Sequence, residues 1–560
     1  NIYDINKVIK ILKENNKLRF ASKGDKIVEI NNKVIDNSLE YLTTFEVPEE
    51  WKDLEYKDNQ KLTFNESINL LKGDTLPVSS FIKNKEGIFE GTTTKEEKRN
   101  IAEEVPCWIS ENCIECNQCA FSCPHGVIRP FLLDKKDSKV ESIPSLLPKD
   151  KEFTIGINYE ECTGCGVCTL ACPGKLGKKA LEMVPNKDKE NNFEYLLKNN
   201  VNDKYQSNLL TVKNVSFKEP KFEYSGACAG CGETPYITNL TRVFNDNLMI
   251  ANATGCSSIY SGSVPSMPYS IPWASSLFED NTEYGYGILQ GINIKRDKIK
   301  KYMKEYPRNK LFKKWIENMD NYDICKEVKE NIDYKKHPYL NDMKDYILPK
   351  QLWVLGGDGF AYDIGYGGLD HVLSKKDNIN ILVLDTEVYS NTGGQSSKSS
   401  NIGSVASFTS NGKDNYKKDL ARIAMCYPHV YVASVNIGYN KEQYLKAIKE
   451  ASLHNGPSLI IAYSPCIEHG IKTGMQHSQS NGYLATKCGY FLTFRYNPDT
   501  KKFSLDSKEP EFDKYEDYLM TENRFASLVR KDKERARLLL EEQKQWAIDR
   551  YNYYKKISEE

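Results

Sequence analysis

Cys113-x2-Cys116-x2-Cys119-x3-Cys123-Pro124 and Cys162-x2-Cys165-x2-Cys168-x3-Cys172-Pro173 are two copies of one spacing. Three thiolates set two residues apart let a tight loop wrap one iron–sulfide cube, with backbone N–H groups able to face the sulfides. The fourth cysteine, followed by proline, turns away and ligates the other cube. The spacing therefore assigns Cys113, Cys116, Cys119 and Cys172 to one [4Fe–4S] centre. Cys162, Cys165, Cys168 and Cys123 fall to the other. Structural zinc takes two separated pairs instead, so iron–sulfur is the stronger reading. Two such centres accept single electrons and pass them on, and by themselves make or break no carbon bond.

A third cysteine group is less explicit. Gly226-Ala-Cys-Ala-Gly-Cys-Gly-Glu-Thr-Pro235 holds a CxxC, Cys228 and Cys231, and Cys256 follows in Ala253-Thr-Gly-Cys-Ser-Ser258. On spacing alone, zinc, a redox disulfide and a cluster all stay open. A cluster needs a fourth thiolate. Cys466 is the best placed, directly after a predicted strand over Ser458–Tyr463, because ligands collect at the ends of parallel strands in open α/β sheets. It ranks ahead of Cys325, Cys426 and Cys488. Those three and Cys107 otherwise read as small buried apolar side chains.

Gly357-Asp358-Gly359-Phe360 carries a different chemistry. Glycines on both sides of an aspartate let the backbone approach a diphosphate while the carboxylate faces a cation, and hard oxygen ligands suit Mg²⁺. The next predicted strand, Ile379–Asp385, runs into Thr386-Glu-Val-Tyr-Ser-Asn-Thr-Gly-Gly-Gln395. Thr386 lies 28 residues after Asp358, room for a helix and one adjacent strand. Both loops then open on one sheet edge, where the Asp358 carboxylate, Thr386 hydroxyl and Val388 carbonyl could share an ion. A plain glycine-rich turn is the bland alternative. A Rossmann dinucleotide site is the rival functional one, but no GxGxxG opens a helix here.

The elements that must position these residues follow from the rest of the chain. Its 560 residues are 39% hydrophobic and 28% charged, ordinary for a globular protein of three or four domains. Basic and acidic residues balance at 77 each, which speaks against a nucleic-acid partner. No apolar run is long enough to span a membrane. The sequence begins at Asn1 without an apolar leader core and reads as a mature, processed or truncated chain, so clustered cysteines mean metal rather than disulfides. Residues 1–45 read as the tail of an upstream domain, with helical spacing at Ile5, Val8, Ile9, Ile11 and Leu12 and a short strand over 26–30. Residues 46–100, with Pro48, Gly73, Pro77, Gly87 and Gly91, read as a connector with one helix near 66–72. Residues 101–190 form a two-cluster module and residues 191–560 an α/β domain, with 186–225 a Lys- and Asn-rich linker between them. The strands Gln351–Gly356, Ile379–Asp385, 429–433 and Ser458–Tyr463 alternate with helical segments, which predicts a doubly wound parallel sheet. Residues 520–560 predict a charged helical tail anchored by Phe525, Leu528, Leu539, Trp546 and Ile557.

The cysteine runs have the bacterial two-cluster ferredoxin spacing. Together with Gly226–Pro235, 253–258, Gly357–Gly359 and Tyr389-Ser-Asn-Thr-Gly-Gly394, in this order, they resemble the pyruvate:ferredoxin oxidoreductases of the 2-oxoacid:ferredoxin oxidoreductase family. Lys23–Val28 and Glu97–Ile101 also resemble that family's connector regions. The resemblance implies a thiamine-diphosphate-binding α/β sheet beside a ferredoxin-like α+β module. It implies that Cys228, Cys231, Cys256 and Cys466 hold a third, proximal [4Fe–4S] cluster. Asp358, Thr386 and the Val388 backbone would bind Mg²⁺. Glu233, Cys256, Gly357, Asp358, Gly359, Phe360, Thr386, Glu387, Val388, Tyr389, Ser390 and Asn391 would line thiamine diphosphate, and Asn391 would also reach the substrate. Asp385 and Thr386 stand where the wider thiamine-enzyme pattern has an Asn-Asn pair.

The activity so implied is oxidative decarboxylation of pyruvate to acetyl-CoA and CO₂. Electrons would pass through three clusters to ferredoxin or flavodoxin. Family members are about twice as long, so this chain resembles their C-terminal portion. The N-terminal half would supply the coenzyme A site and most substrate contacts. A homodimer and a cytoplasmic setting are expected, with an organelle of an anaerobe left open. The alternatives are a different 2-oxo acid, or a non-catalytic electron-transfer and cofactor-binding module that needs an N-terminal partner.

Overall fold

A computed structural model describes residues 4–21, 24–51, 62–84, 91, 93–96, 98–186, 192–205, 207, 209–262 and 267–559. Lys23, Gly87 and Glu97, named above, lie outside the described residues. The chain divides into two compact units, Asn1–Leu76 and Pro77–Glu560, so the break falls inside the stretch read as a connector.

In the first unit, helix α1 (Ile5–Phe20) starts at Asp4, whose carboxylate accepts from the Asn6 N–H at 2.9 Å, a standard N-cap. Helix α2 (Asp25–Asn37) packs beside it, and Asn16 donates to the Val28 carbonyl and to Asn32 Oδ1. The strand expected over 26–30 is therefore wrong. Its apolar residues continue as Val34 and Ile35 at helical spacing, and a helix closes its own hydrogen bonds where a lone strand has no neighbour. Helix α3 (Phe64–Asn69) begins with a Thr63–Glu66 capping box, matching the helix expected near 66–72.

The cysteine module opens the second unit's regular structure. Strand β1 (Glu104–Trp108) is followed by α4 (Gln118–Ser122), β2 (Ile128–Leu133), β3 (Ile143–Pro144), β4 (Glu152–Ile157), α5 (Val167–Ala171) and β5 (Leu181–Pro185). β1 pairs antiparallel with β5, and β2, β4 and β3 form a three-stranded antiparallel sheet. Each cysteine run is a loop entering a short helix through a left-handed residue, Asn117 (φ 57°) before α4 and Gly166 (φ 75°) before α5. That reversal folds the loop back over its own thiols. Of the expected linker 186–225, residues 187–191, 206 and 208 lie outside the described residues, and the rest is packed chain instead. It holds α6 (Phe193–Asn199) and α7 (Val212–Ser216), with Phe193, Leu196, Val212, Val215 and Phe217 buried. Its few apolar residues were masked by the surrounding Lys and Asn.

The remainder is one eight-stranded sheet. The elements run α8 (Thr234–Phe244), β6 (Leu248–Ala253), α9 (Cys256–Ile259), β7 (Trp273–Ser276), and the helices α10 (Asn281–Lys304), α11 (Lys310–Glu317), α12 (Tyr322–Asn331) and α13 (Pro338–Asp342). Then come β8 (Gln351–Gly356), α14 (Asp358–Ala361), α15 (Tyr366–Leu373), β9 (Asn380–Asp385), α16 (Leu420–Ala424), β10 (Tyr431–Val435), α17 (Lys441–Leu453) and β11 (Ser458–Tyr463). Last are α18 (Ser478–Lys487), β12 (Phe494–Asn497), β13 (Lys502–Leu505), α19 (Tyr515–Leu519), α20 (Asn523–Lys531) and α21 (Lys533–Glu559). The strand order is β13-β12-β10-β11-β9-β8-β6-β7, parallel from β10 to β7 with an antiparallel β12–β13 hairpin at one edge.

Strands β9 and β11 are buried along their whole length, as expected of parallel strands covered on both faces. Tyr236, Leu240, Tyr444 and Ile448 of α8 and α17 cover one face. Leu369, Val372, Leu420 and Phe525 belong to the core of the other. This is the doubly wound arrangement. Helices α11 to α13 build a satellite core around Phe312, Trp315 and Leu340. The tail is two helices, α20 and α21. Phe525, Leu528 and Leu539 are buried, while Trp546 and Ile557 are half-buried.

Candidate functional site

Four parallel strands deliver the chemistry to one sheet edge. β8 leads into Gly357-Asp358, β9 into Thr386, β11 towards Pro465-Cys466, and β6 into Thr254-Gly255-Cys256. C-terminal strand ends are where open α/β sheets bind ligands. Here they enclose a cavity of about 360 Å³. Of the twelve residues expected to line a cofactor, eleven line this cavity: Glu233, Cys256, Gly357, Asp358, Gly359, Phe360, Thr386, Val388, Tyr389, Ser390 and Asn391. Thr254, Gly255, Ser257, Phe278, Ile364, Thr392 and Gln395 complete the wall. Phe278 and Ile364 carried no sequence signal, because nothing local marks an apolar wall.

Glu387 is the exception. Its backbone is left-handed (φ 58°), which turns the side chain away from the cavity and into a buried ion network. Lys417 Nζ lies 2.7 Å from Glu387 Oε1 and 2.7 Å from Asp385 Oδ2. Arg524 reaches Glu387 Oε2 at 2.9 Å and Glu522 Oε2 at 2.6 Å. Burial pushes the Glu387 carboxyl up, but Lys417 and Arg524 outweigh it and hold the pKa down to about 2. His469, also buried, meets the Thr386 carbonyl at 2.7 Å. The network is a charged floor beneath the 386–391 loop, and Glu387 draws its two cations from 30 and 137 residues along the chain.

The oxygen groups expected to share a cation do sit together. The Thr386 N–H donates to Asp358 Oδ1 at 3.3 Å, and Thr386 Oγ1 donates to the Val388 carbonyl at 3.0 Å. Ser397 and Ser399 donate to Asp358 Oδ2 at 3.0 and 2.6 Å. Burial, then the nearby Asp385 charge, pushes the Asp358 carboxyl well above the carboxylate range. A carboxylate, a hydroxyl and a carbonyl at one buried point are a hard-oxygen donor set. At Gly255 (φ 153°) an added Cβ would meet no atom within 4 Å, and at Gly357 none nearer than 3.8 Å. The backbone there lies open to close approach. The residues present thus fit a diphosphate with its cation.

The thiols gather in three sets. Burial, then the neighbours Cys116, Cys113 and Cys172, pushes the Cys119 thiol well up. Cys113, Cys116, Cys119 and Cys172 line one small cavity. Burial, then Cys123, Cys165, Cys119 and Cys162, does the same to Cys168. The fourth cysteine of each run therefore sits with the other run's three, and Cys119 adjoins both sets. Cys228, Cys231, Cys256 and Cys466 line a cavity of about 130 Å³. Burial raises Cys466 to about 12, against a hydrogen bond from Ser390. Backbone N–H groups of Gly164, Ala180 and Glu233 lie 3.4 Å from the sulfurs of Cys162, Cys172 and Cys231. Among the described residues no three His, Cys, Asp or Glu side chains converge on a single ion. The thiols instead surround a space, as four irons with one thiolate each require. Free thiols so crowded resist ionisation, and a cationic iron core removes that penalty. Of the four remaining cysteines, Cys325 and Cys488 are buried as expected, whereas Cys426 is exposed and Cys107 half-buried. Cys426 follows the short α16 on the surface, which its type alone does not reveal.

Two junctions connect these parts. The 130 Å³ and 360 Å³ cavities share Glu233, Cys256, Thr386 and Asn391. The Gly230 N–H, inside the CxxC loop, is directed at the Cys165 thiol of the second set. Burial holds the Glu233 carboxyl up at about 7, against the Tyr260 hydroxyl, which donates to its Oε2 at 2.9 Å.

Comparison with known proteins gives three family matches along the chain. Residues 112–176 match the family described as a 4Fe-4S dicluster domain. Residues 345–462 match the thiamine pyrophosphate enzyme, C-terminal TPP binding domain, and residues 64–102 a domain of unknown function. The pyruvate:ferredoxin oxidoreductase of Moorella thermoacetica is 42% identical over 100% of this chain and 52% of its own length. The pyruvate-flavodoxin oxidoreductase of Enterobacter agglomerans is 39% identical over 100% and 51%. The NADP(+) pyruvate dehydrogenase of Cryptosporidium parvum is 36% identical over 100% and 34%. The chain thus spans about half the length of the first two relatives. A solved 2-oxoglutarate:ferredoxin oxidoreductase from Magnetococcus marinus aligns at 18% identity and a TM-score of 0.29, over 48% of this chain and 68% of that one, too slight a likeness to carry an argument. No helix among the described residues is long and apolar enough to cross a membrane.

Proposed function

From a chain related over its whole length to the pyruvate:ferredoxin and pyruvate-flavodoxin oxidoreductases, we propose that it houses the thiamine diphosphate site and electron relay of an enzyme that converts pyruvate oxidatively to acetyl-CoA and CO₂. Ferredoxin or flavodoxin takes the electrons. Coenzyme A and further substrate contacts come from sequence beyond this chain, and the assembly is a homodimer. The observation that carries the reading is the shared wall of Glu233, Cys256, Thr386 and Asn391, which sets a four-thiol cavity against the diphosphate cavity.

In this reading Asp358, Thr386 and the Val388 carbonyl hold Mg²⁺. Gly357 to Phe360, Tyr389 and Ser390 line the diphosphate, and Asn391 faces the substrate. Cys228, Cys231, Cys256 and Cys466 hold the proximal [4Fe–4S] cluster, and the two ferredoxin-type sets hold the other two. When bound, thiamine diphosphate supplies a carbon nucleophile and an electron sink, and the clusters supply one-electron acceptors. The chain supplies position and charge. Burial favours the protonated form of Glu233 and so lessens negative charge beside Cys256. Phe278 and Ile364 give the cavity an apolar side, and Lys417 offsets the carboxylates below the loop. Gly230 joins the proximal loop to Cys165, which makes the Cys162 set the next acceptor and the Cys113 set the outermost.

Anaerobic iron analysis with electron paramagnetic resonance tests the relay. About twelve irons per chain and three cluster signals are expected. Eight irons, or zinc in the third group, would reject the proximal centre.

A further inference from the structure

Arg242, in the last turn of α8, is fully buried. Its Nη1 donates to the Ala120 carbonyl at 3.1 Å and to Asn239 Oδ1 at 3.0 Å. Asn239 in turn donates to the Phe121 carbonyl at 2.9 Å. Ala120 and Phe121 lie between Cys119 and Cys123, which belong to different thiol sets. The guanidinium Nε and Nη2 are buried without a hydrogen-bond partner, and no carboxylate pairs with Arg242 among the described residues. The nearby Arg129 is neutralised by Glu223. A buried cation without a counter-charge is costly, so this position favours an anion beside it. Of the thiols around it, Cys123 and then Cys119 act on the guanidinium most strongly, one from each thiol set.

A four-iron cube held by four thiolates is an anion that gains one more negative charge on reduction. We propose that Arg242 is the built-in counter-cation of both ferredoxin-type clusters and raises their reduction potentials relative to the proximal one. It does so through charge and holds no iron itself. This rests on the cluster assignment given above. The gradient so produced draws electrons out of the proximal cluster into the relay.

The magnitude follows from Coulomb's law at a separation of about 10 Å. A unit charge about 10 Å away in an effective dielectric of about 20 shifts an equilibrium roughly ten-fold. The test is a redox titration of the cluster-loaded chain followed by electron paramagnetic resonance, with iron content measured on each sample. In R242Q the equilibrium constant for reducing the two ferredoxin-type clusters falls at least about ten-fold, about 59 mV for one electron. The proximal signal stays in place. R242K, which keeps the charge, stays within about three-fold of the parent. Arg242→Met, neutral and of similar length, lowers both potentials even if R242Q fails to load iron. A merely structural Arg242 would change stability and leave the potentials of R242M and R242Q unmoved. Full iron with unshifted potentials in either variant overturns the proposal. Fewer than eight irons in the parent would instead fail the cluster assignment itself.

Discussion

Replacing Lys417 with Met removes the one cation that two buried carboxylates share. Glu387 keeps Arg524 at 2.9 Å, but Asp385 is left with the Tyr362 hydroxyl at 2.9 Å and the Glu387 N–H at 3.3 Å. Deleting one partner of a buried ion pair costs about 3–5 kcal/mol. That is a large part of a typical stability of about 5–15 kcal/mol. Urea unfolding of the cofactor-free chain, followed by circular dichroism, reads the loss. Its pH dependence is the sharper check. Burial already pushes the Asp385 carboxyl up against the opposing Lys417. Without Lys417 its folded pKa rises further above the unfolded value. A group with a raised folded pKa contributes stability that is present at low pH and lost as pH rises through that pKa. The deficit of K417M is therefore largest near pH 8 and shrinks on acidification toward about pH 5. A deficit under about 1 kcal/mol near pH 8, or one that grows with acid, would refute the account of the floor.

Cys466→Ala removes one corner of the third thiol set, and anaerobic iron analysis should fall from about twelve to about eight per chain with both ferredoxin-type signals kept. Asp358→Asn takes the carboxylate from the hard-oxygen set and should weaken thiamine diphosphate binding in the presence of Mg²⁺ by at least about 100-fold, read by calorimetry; parent-like affinity would move the cation site elsewhere. Gly230→Ala places a Cβ 2.6 Å from the Met475 carbonyl at φ 78°, so the loop must shift, at a left-handed cost of about 1–2 kcal/mol. Stopped-flow reduction should then show slower electron passage from the proximal set to the Cys162 set, with iron content unchanged.

Features coded by short spacing were legible in the sequence. The two cysteine runs, the Gly-Asp-Gly turn after β8 and the Thr386–Asn391 loop after β9 are local patterns, and buried parallel strands are continuous apolar runs. The fourth thiol of the third set was reachable because Cys466 directly follows such a run. Lys417, Arg524 and Arg242 were not legible. Each acts through partners far along the chain, and a lone Lys or Arg is normally a solvated surface residue. The 26–30 segment failed because a short apolar run fits strand and helix equally. Glu387 was misplaced because its neighbours line the cavity, and only its left-handed backbone turns it inward.

The exchange of Cys123 and Cys172 between the two cysteine runs makes the halves of the module mutually obligate. Neither repeat can be excised as a working unit, since each would leave its own cube one corner short. In the proposed assignment, oxidation of Cys123 should accordingly cost the centre of the Cys162 set and oxidation of Cys172 that of the Cys113 set, so damage in one run is felt at the other's centre.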